Sequence, residues 1–250
     1  LELRTQPYVA FVMPAVGMPG TSDSYRLVGC NLPGGVESDF KLGDVPLQQR
    51  AVRIYVPHAN GDQFRTPTGE TRSHEHADFA FQWHNPDGPS NVVHIGRAEL
   101  PITTEQSDND LPSKAQSITI PTEYVGQFYP RRDQDWVSFA AKKGQRYQVR
   151  VLSNRLGHST DPEIYVQKVT TDANGGEKVS QVSTQDDEKF DQGRYRLKLP
   201  RALDLSHQDP DVSFAADQDG TYRVGVRDLY GGSRDDPRLT YRLQIRPQEQ

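Results

Sequence analysis

The chain has 250 residues, 34% of them hydrophobic, and a mean hydropathy of −0.79; that suits one large domain or two ordinary ones with small cores and much exposed surface. Its 29 basic and 34 acidic side chains are interspersed and give a net charge of −5, with no basic stripe to neutralise a phosphate backbone and no apolar run near the ~18 residues of a membrane-spanning helix. Cys30 is the single cysteine, which excludes an intrachain disulfide and a cysteine-based metal cluster.

Alternation of apolar and polar residues is the dominant signal along the chain, and it predicts half-buried antiparallel strands. In the first hundred residues strands are expected near 8–13, 25–28, 52–56, 79–83 and 92–95. Val52, Ile54 and Val56 alternate with Arg53 and Tyr55 before Pro57; Phe79, Phe81 and Trp83 alternate with Ala80 and Gln82 before Asn85-Pro86-Asp87-Gly88. Cys30 reads as a small buried apolar residue, since nothing basic lies near it in sequence to make it a thiolate. His74-Glu75-His76, with Asp78 and His84, is an open case: on a strand His74 and His76 share a face, as a zinc ligand pair would, yet an exposed polar strand start reads the same way.

The alternation lapses between Thr103 and Gln116. Thr-Thr-Glu-Gln-Ser-Asp-Asn-Asp-Leu-Pro-Ser-Lys is a polar connector, with one short helical turn expected around 112–116 and Asp110 as its cap. The expected division is therefore 1–103 and 104–250. Beyond it Tyr147, Val149 and Val151, then Tyr222, Val224 and Val226, then Tyr241, Leu243 and Ile245 mark further strands. Asn60-Gly61, Asn174-Gly175-Gly176, Asp219-Gly220 and Gly231-Gly232 supply the turns, with Asp217-Gln-Asp-Gly220 expected to close a hairpin. Counted from Asp172, the twelfth position is Ser183 rather than a bidentate Glu, so this stretch is a turn and not an EF-hand. Trp136, Tyr147, Tyr222 and Tyr241, each near a strand start, are assigned to the core, and Arg155 is expected to pair with Asp161 across a loop. The fold class is all-β, two β-sandwich domains.

The second half resembles the bacterial pre-peptidase C-terminal domain, a jelly-roll-like sandwich of secreted proteins, over about residues 115–245. The stretches that carry the resemblance are Gly126-Gln-Phe-Tyr-Pro-Arg-Arg-Asp-Gln-Asp-Trp-Val-Ser-Phe139, Lys143-Gly-Gln-Arg-Tyr147, Arg155-Leu-Gly157 with Asp161-Pro162, Asp219-Gly-Thr-Tyr-Arg-Val224, Val226-Arg-Asp-Leu-Tyr-Gly231 and Asp236-Pro-Arg-Leu-Thr-Tyr-Arg-Leu243. In the first half, Gly20-Thr through Gly29-Cys-Asn-Leu-Pro-Gly-Gly35 looks like the opening hairpin of an immunoglobulin-like domain, and Ser90-Asn-Val-Val-His-Ile-Gly96 like its last strand.

The resemblance implies a calcium site. Calcium-binding members, such as the collagen-binding modules of clostridial collagenases, hold the ion between an acidic linker (Glu-x-Glu-Pro-Asn-Asp) and acids of the following strand. The matching positions are Glu105, Asn109, Asp110, Asp133 and Asp135, with Ser107 where the second Glu stands and Asp108 in place of the Pro, so that a one-residue shift lets Asp108 compensate. Read without the resemblance, the same acids also suit a solvated linker and a turn cap. No nucleophile elbow, phosphate loop or dinucleotide fingerprint is present. The sequence begins at Leu1 without a signal peptide and reads as a fragment or processed product. The expected function is a non-catalytic accessory module pair of a larger secreted or envelope bacterial protein. It would act as a spacer beside neighbouring domains and bind an extracellular polysaccharide or protein. The alternative is a metal-dependent hydrolase, or a fragment of one, using His74, His76 and His84.

Overall fold

Alternation sorts each strand into an inward and an outward face, and pairs of such sheets bury their inward faces against each other. The computed structural model describes residues 6–58, 78–187 and 207–249. Its first sandwich is built from β1 (Tyr8–Met13), β2 (Val16–Gly17), β3 (Ser22–Cys30), β4 (Val36–Leu42), β5 (Val45–Tyr55), β6 (Asp78–Asn85) and β7 (Gly88–Arg97). A sheet in the order β1-β3-β5-β4 faces a smaller one in the order β2-β7-β6. Val9, Val12, Tyr25, Leu27, Ile54 and Val56 from the first sheet meet Ile95, Phe79 and Phe81 from the second. The outer face of the larger sheet carries its own apolar cluster of Phe11, Val28 and Leu47, against which Cys30 and Phe40 pack.

The second sandwich contains β8 (Ile102–Thr104), β9 (Gln116–Ser117), β10 (Thr122–Gln127), β11 (Gln134–Ala141), β12 (Arg146–Leu152), β13 (Pro162–Thr171), β14 (Glu177–Gln185), β15 (Asp211–Ala215), β16 (Gly220–Asp228) and β17 (Thr240–Pro247). Its sheets run β15-β12-β17-β10-β8 and β14-β13-β16-β11-β9. Between them lies a core that includes Tyr124, Val137, Phe139, Tyr147, Val149, Ile164, Tyr222, Val224, Tyr241 and Leu243. Among the described residues the helical content is two single 3₁₀ turns.

Five expectations are corrected. Asp217 to Gly220 does not close a hairpin: β15 pairs with β12 while β16 pairs with β11 and β13, so the turn carries the chain from one sheet to the other. Residues 29–35 likewise join β3 to β4 across an intervening β5 rather than forming a hairpin, and the hairpin is β4–β5. The short turn is Pro112–Lys114, with Leu111 and not Asp110 at its cap, and no side-chain cap bond. Trp136 is buried but points outward, because Val137 and Phe139 fix the inward parity of β11; it lies over Gly225 and stacks on Tyr165 at 6.3 Å. Arg155 pairs not with Asp161 but with Asp209, at 3.0 Å. The Asn60-Gly61 turn lies outside the described residues.

The polar connector has more order than its composition suggests. Its first residues are β8, which pairs in parallel with β10, and its last are β9, which pairs in parallel with β11. Pieces of two and three residues are too short to reveal a period-2 pattern, yet they bind both ends of the connector to the two sheets of the second sandwich.

A candidate metal centre at the mouth of the second sandwich

Parallel pairing of β8 with β10 sets where the connector goes next. Glu105 follows directly, its N–H donating to the Val125 carbonyl at 3.0 Å, while its Oε2 accepts the Gln127 N–H at 2.9 Å. Gly126 makes room for it: a Cβ there would stand 2.7 Å from Glu105 Oε2 and 2.6 Å from the Tyr241 hydroxyl. Further along, the carbonyl of Asn109 accepts the Trp136 N–H at 2.9 Å, which lays the connector against the start of β11.

Asp135 is the residue before Trp136, and strand parity turns it inward, in line with Val137 and Phe139. A carboxylate thus occupies a core-facing position at the end of the sandwich, 1% exposed. Its Oδ2 accepts the Tyr241 hydroxyl at 2.6 Å. Asp133, in the turn before β11, is held by the Tyr129 N–H, 3.2 Å from its Oδ2. One carboxylate oxygen each from Glu105, Asp133 and Asp135 lie within 4.8 Å of one another.

Three acids at such separation repel, and water is largely excluded. Burial first, and then the charge of Asp135, push the Glu105 carboxyl up to about 9 and that of Asp133 up to about 8. Burial also raises Asp135, to about 7, against the opposing effect of the Tyr241 hydrogen bond. The charge of Asp110, exposed at the rim, raises all three. Burial lifts the hydroxyl of Tyr241 well above its ordinary value, and does the same for Tyr124.

Two further oxygens face the same problem. Asn109, 1% exposed, donates its Nδ2 to the Tyr124 hydroxyl at 2.9 Å, but its Oδ1 is buried with no hydrogen-bond donor. Asp135 Oδ1 is likewise buried without a well-formed hydrogen bond, although the Asn109 and Glu105 side chains lie close enough to favour the charged form of Asp135. Each such group carries a desolvation cost of roughly 1–3 kcal/mol unless something positive meets it.

The donor set fits a hard divalent cation. It is all oxygen, without thiol or imidazole, and calcium takes about 6–8 oxygens at roughly 2.3–2.6 Å. Two ligands of one ion stand at most about 5 Å apart, and the three carboxylate oxygens lie within that span.

The structure brings together Glu105, Asp133 and Asp135, buries Asn109 beside them and leaves Asp110 at the rim. Asp108 does not compensate for the missing Glu, because it pairs with Lys114 at 2.5 Å on the surface. Sequence reasoning missed the two tyrosines, Tyr124 and Tyr241, whose rings are core but whose hydroxyls reach the pocket, and Gln116, whose Oε1 accepts from Tyr124 at 3.2 Å and from the Gln106 N–H at 2.9 Å. Gly126 was quoted for its motif, and its role here is clearance.

The histidine cluster is not assembled among the described residues. His74, Glu75 and His76 lie outside them; His84 is exposed, its Nδ1 3.0 Å from the Gln82 carbonyl; Asp78 pairs with His94 at 3.3 Å. A cavity of about 310 Å³ lies between the sandwiches, with His94 on one wall and His158 on the other. His94 is engaged by Asp78, and His158 Nε2 is 3.0 Å from the Thr240 hydroxyl. The candidate hairpin loop at Asp172 is a side-chain-capped turn, its Oδ1 accepting the N–H groups of Asn174 and Gly176 at 2.8 Å.

No helix among the described residues is long and apolar enough to cross a membrane. No family model and no curated protein matches the chain. Among solved structures it is similar to CorA, a surface-associated copper-binding protein of Methylomicrobium album BG8, at 11% identity and a TM-score of 0.34, over 60% of this chain and 98% of that one. It is similar also to PliG, a periplasmic inhibitor of g-type lysozyme from Aeromonas hydrophila, at 14% identity and a TM-score of 0.35, over 59% and 98%. The pre-peptidase C-terminal domain of collagenase from Bacillus anthracis is similar at 14% identity and a TM-score of 0.36, over 55% of this chain and 100% of that one.

Proposed function

We propose that the chain is a non-catalytic pair of β-sandwich modules from a larger secreted or envelope protein. In this reading the first is immunoglobulin-like, and the second is a pre-peptidase C-terminal-like module that binds calcium through Glu105, Asn109, Asp110, Asp133 and Asp135. The division at 103/104 leaves the acidic connector with the second module. The ion would supply charge neutralisation and a tether: its ligands come from the connector and from the start of β11, so binding fastens one to the other. Calcium-binding extracellular modules work at dissociation constants near 10⁻⁴–10⁻³ M, which suits a rim open to water. A polysaccharide or protein partner would meet exposed aromatic rings such as Tyr55 at the end of β5 and Tyr230 in the turn after β16, both half-exposed.

One observation carries the reading: three acids and two buried oxygens without a well-formed hydrogen bond converge in a pocket where the charges acting on each acid are other acids. Isothermal titration of the chelator-treated chain with Ca²⁺ tests it. The expected result is one site that is lost in Asp135→Asn; heat absent from the unmodified chain, with a melting temperature indifferent to Ca²⁺ and EDTA, would eliminate the calcium site.

A further inference from the structure

We infer that the two sandwiches are clamped into one rigid body by a relay of two buried arginines, Arg242 and Arg97, so that the pair is a spacer of fixed geometry and not a hinge. The inference stands on residues apart from the acid pocket and holds with or without calcium there.

Arg242 lies on β17 next to Tyr241, and by strand parity the two side chains face opposite ways: Tyr241 into the core, Arg242 toward the first sandwich. There it ion-pairs through Nε with Glu123 of β10, the two being 2% and 0% exposed. Its Nη2 donates to the Arg97 carbonyl at 3.1 Å. Glu123 uses its other oxygen to accept the Glu99 N–H at 3.1 Å, and its own N–H donates to the Pro101 carbonyl at 2.8 Å. The segment 97–101 is therefore held at three points by the second sandwich.

Arg97 passes the hold on. Its Nε donates to the Pro57 carbonyl at 2.7 Å and its Nη1 to the Asp78 carbonyl at 2.5 Å, with its guanidinium 5.5 Å from the Phe79 ring. Pro57 follows β5 and Asp78 opens β6, so a single side chain from the end of β7 ties both sheets of the first sandwich to the segment that the second one grips. The approach is close: a Cβ on Gly96 would stand 2.9 Å from Arg242 Nη1.

Two apolar contacts flank the relay. Val16 and Met18 of the first sandwich pack with Ala98, Ile102 and Val125. Phe40, at the end of the β4 side, meets Tyr129 at 5.7 Å between ring centres. Inter-domain motion is the ordinary expectation where contacts are few and polar; here directional bonds are buried on both sides of the joint, and bending it would break the bonds that Arg242 and Glu123 make to the Arg97 carbonyl and the Glu99 N–H.

The test is the alignment of each half in a weakly ordered medium. Residual dipolar couplings are measured on the whole chain, in Ca²⁺ and in EDTA, and fitted separately for the two sandwiches. The expected result is one alignment tensor for both halves in both conditions. In Arg97→Met the two halves should fit two different tensors, with the degree of order of one below that of the other, as for independently moving domains. Should Arg97→Met lose the amide dispersion of the first sandwich, Glu123→Gln/Arg242→Met, which removes both buried charges together, carries the test. Two tensors in the unmodified chain would overturn the proposal. So would a single tensor that persists in both variants, since the relay would then not be the clamp. A joint rigid in Ca²⁺ and loose in EDTA would assign the rigidity to the metal and overturn it equally, while failure to bind calcium at all would leave it standing.

Discussion

Two regions of this molecule bury several charges, and they are built on opposite plans. At the joint, Glu123 meets Arg242, and the pair is bonded further to the Glu99 N–H, the Gln244 amide and the Arg97 carbonyl, while Arg97 itself keeps one buried guanidinium nitrogen without a partner. Asp209, deeper in the second sandwich, is finished in the same way; it accepts the N–H groups of Ser153, Asn154 and Arg155 and the Nε of Arg155, at 2.6–3.1 Å. At the acid pocket Glu105, Asp133 and Asp135 converge with no opposite charge, and Asn109 and Asp135 each keep a buried oxygen without a well-formed hydrogen bond. A buried charge that is paired and hydrogen-bonded is structure, whereas buried like charges with spare lone pairs are costly until something positive meets them, which is the ground of the calcium proposal.

The strongest way to break the comparison is to unbalance the finished side. Arg242→Met leaves Glu123 buried without its partner and should lower stability by roughly 3–5 kcal/mol, whereas Glu123→Gln/Arg242→Met should recover most of that loss. In the acid pocket the same kind of change has the reverse sign: Asp135→Asn removes one of three crowded carboxyls that repel as they ionise, so at alkaline pH the calcium-free chain gains stability while losing the calcium response. Chemical denaturation of the three variants in EDTA measures all of this. Loss of stability in calcium-free Asp135→Asn at alkaline pH would show that Asp135 is a finished structural acid like Asp209.

Next in size is the response to the ion itself. Stabilisation by a ligand that binds the folded state alone is about 2.7 kcal/mol at a hundred-fold excess over Kd. The unfolding midpoint should therefore rise steadily with the logarithm of Ca²⁺ concentration, and Asp135→Asn should be flat. Mg²⁺, which needs a smaller octahedral set and gives up its water reluctantly, should shift the midpoint less at equal concentration.

How much of this was legible in the sequence differs between the two regions for a physical reason. Alternation at Val52, Ile54 and Val56, or at Tyr147, Val149 and Val151, reports burial directly, and the strands stand where it puts them. Register and sheet membership are not local properties, so Asp219-Gly220 read as a hairpin although the chain there crosses between sheets. Parity could have done better with Trp136: Val137 and Phe139 face inward, so Trp136 must face out and Asp135 in, and that inward aspartate was the signal of a special position. The five pocket residues came from the family resemblance, since spacing alone does not distinguish a ligand set from a solvated linker. Arg97, Glu123 and Arg242 carried no signal at all, because a joint is made by elements distant in sequence.

Acidity gives a more gradual effect. The folded-state values of Asp135, Asp133 and Glu105, about 7, 8 and 9, lie above those of the unfolded chain, so between roughly pH 4 and pH 9 the folded chain binds more protons. The stability that this protonation contributes is present in full below the unfolded values and is lost as pH rises through the folded ones. In EDTA the unfolding free energy should accordingly carry a downward component with pH across that window, relative to Asp135→Asn. Saturating Ca²⁺ should remove that component, because the ion takes the place of the protons and its apparent affinity rises with pH. A calcium affinity equal at pH 6 and pH 9 would mean that the ion does not compete with these protons.

The finest distinction is between two neighbouring aspartates on one connector. Asp108 and Asp110 are both exposed, and their sequence setting gives no reason to rank one over the other. The geometry does. Asp108 is turned to Lys114, while the charge of Asp110 reaches Glu105, Asp133 and Asp135. Asp110→Asn should therefore weaken calcium binding by a few-fold to about ten-fold, as expected for losing one partly screened carboxylate at the rim of a site. Asp108→Asn should leave the affinity unchanged, because the side chain it alters is spent on the surface pair. Titration calorimetry at low ionic strength resolves the two. Equal losses would mean that only the overall negative charge of the connector matters, as in a diffuse counter-ion atmosphere, and the ion would then not be held by directed oxygens in the pocket; a loss confined to Asp110→Asn is what a coordinated ion at the junction of connector and β11 requires.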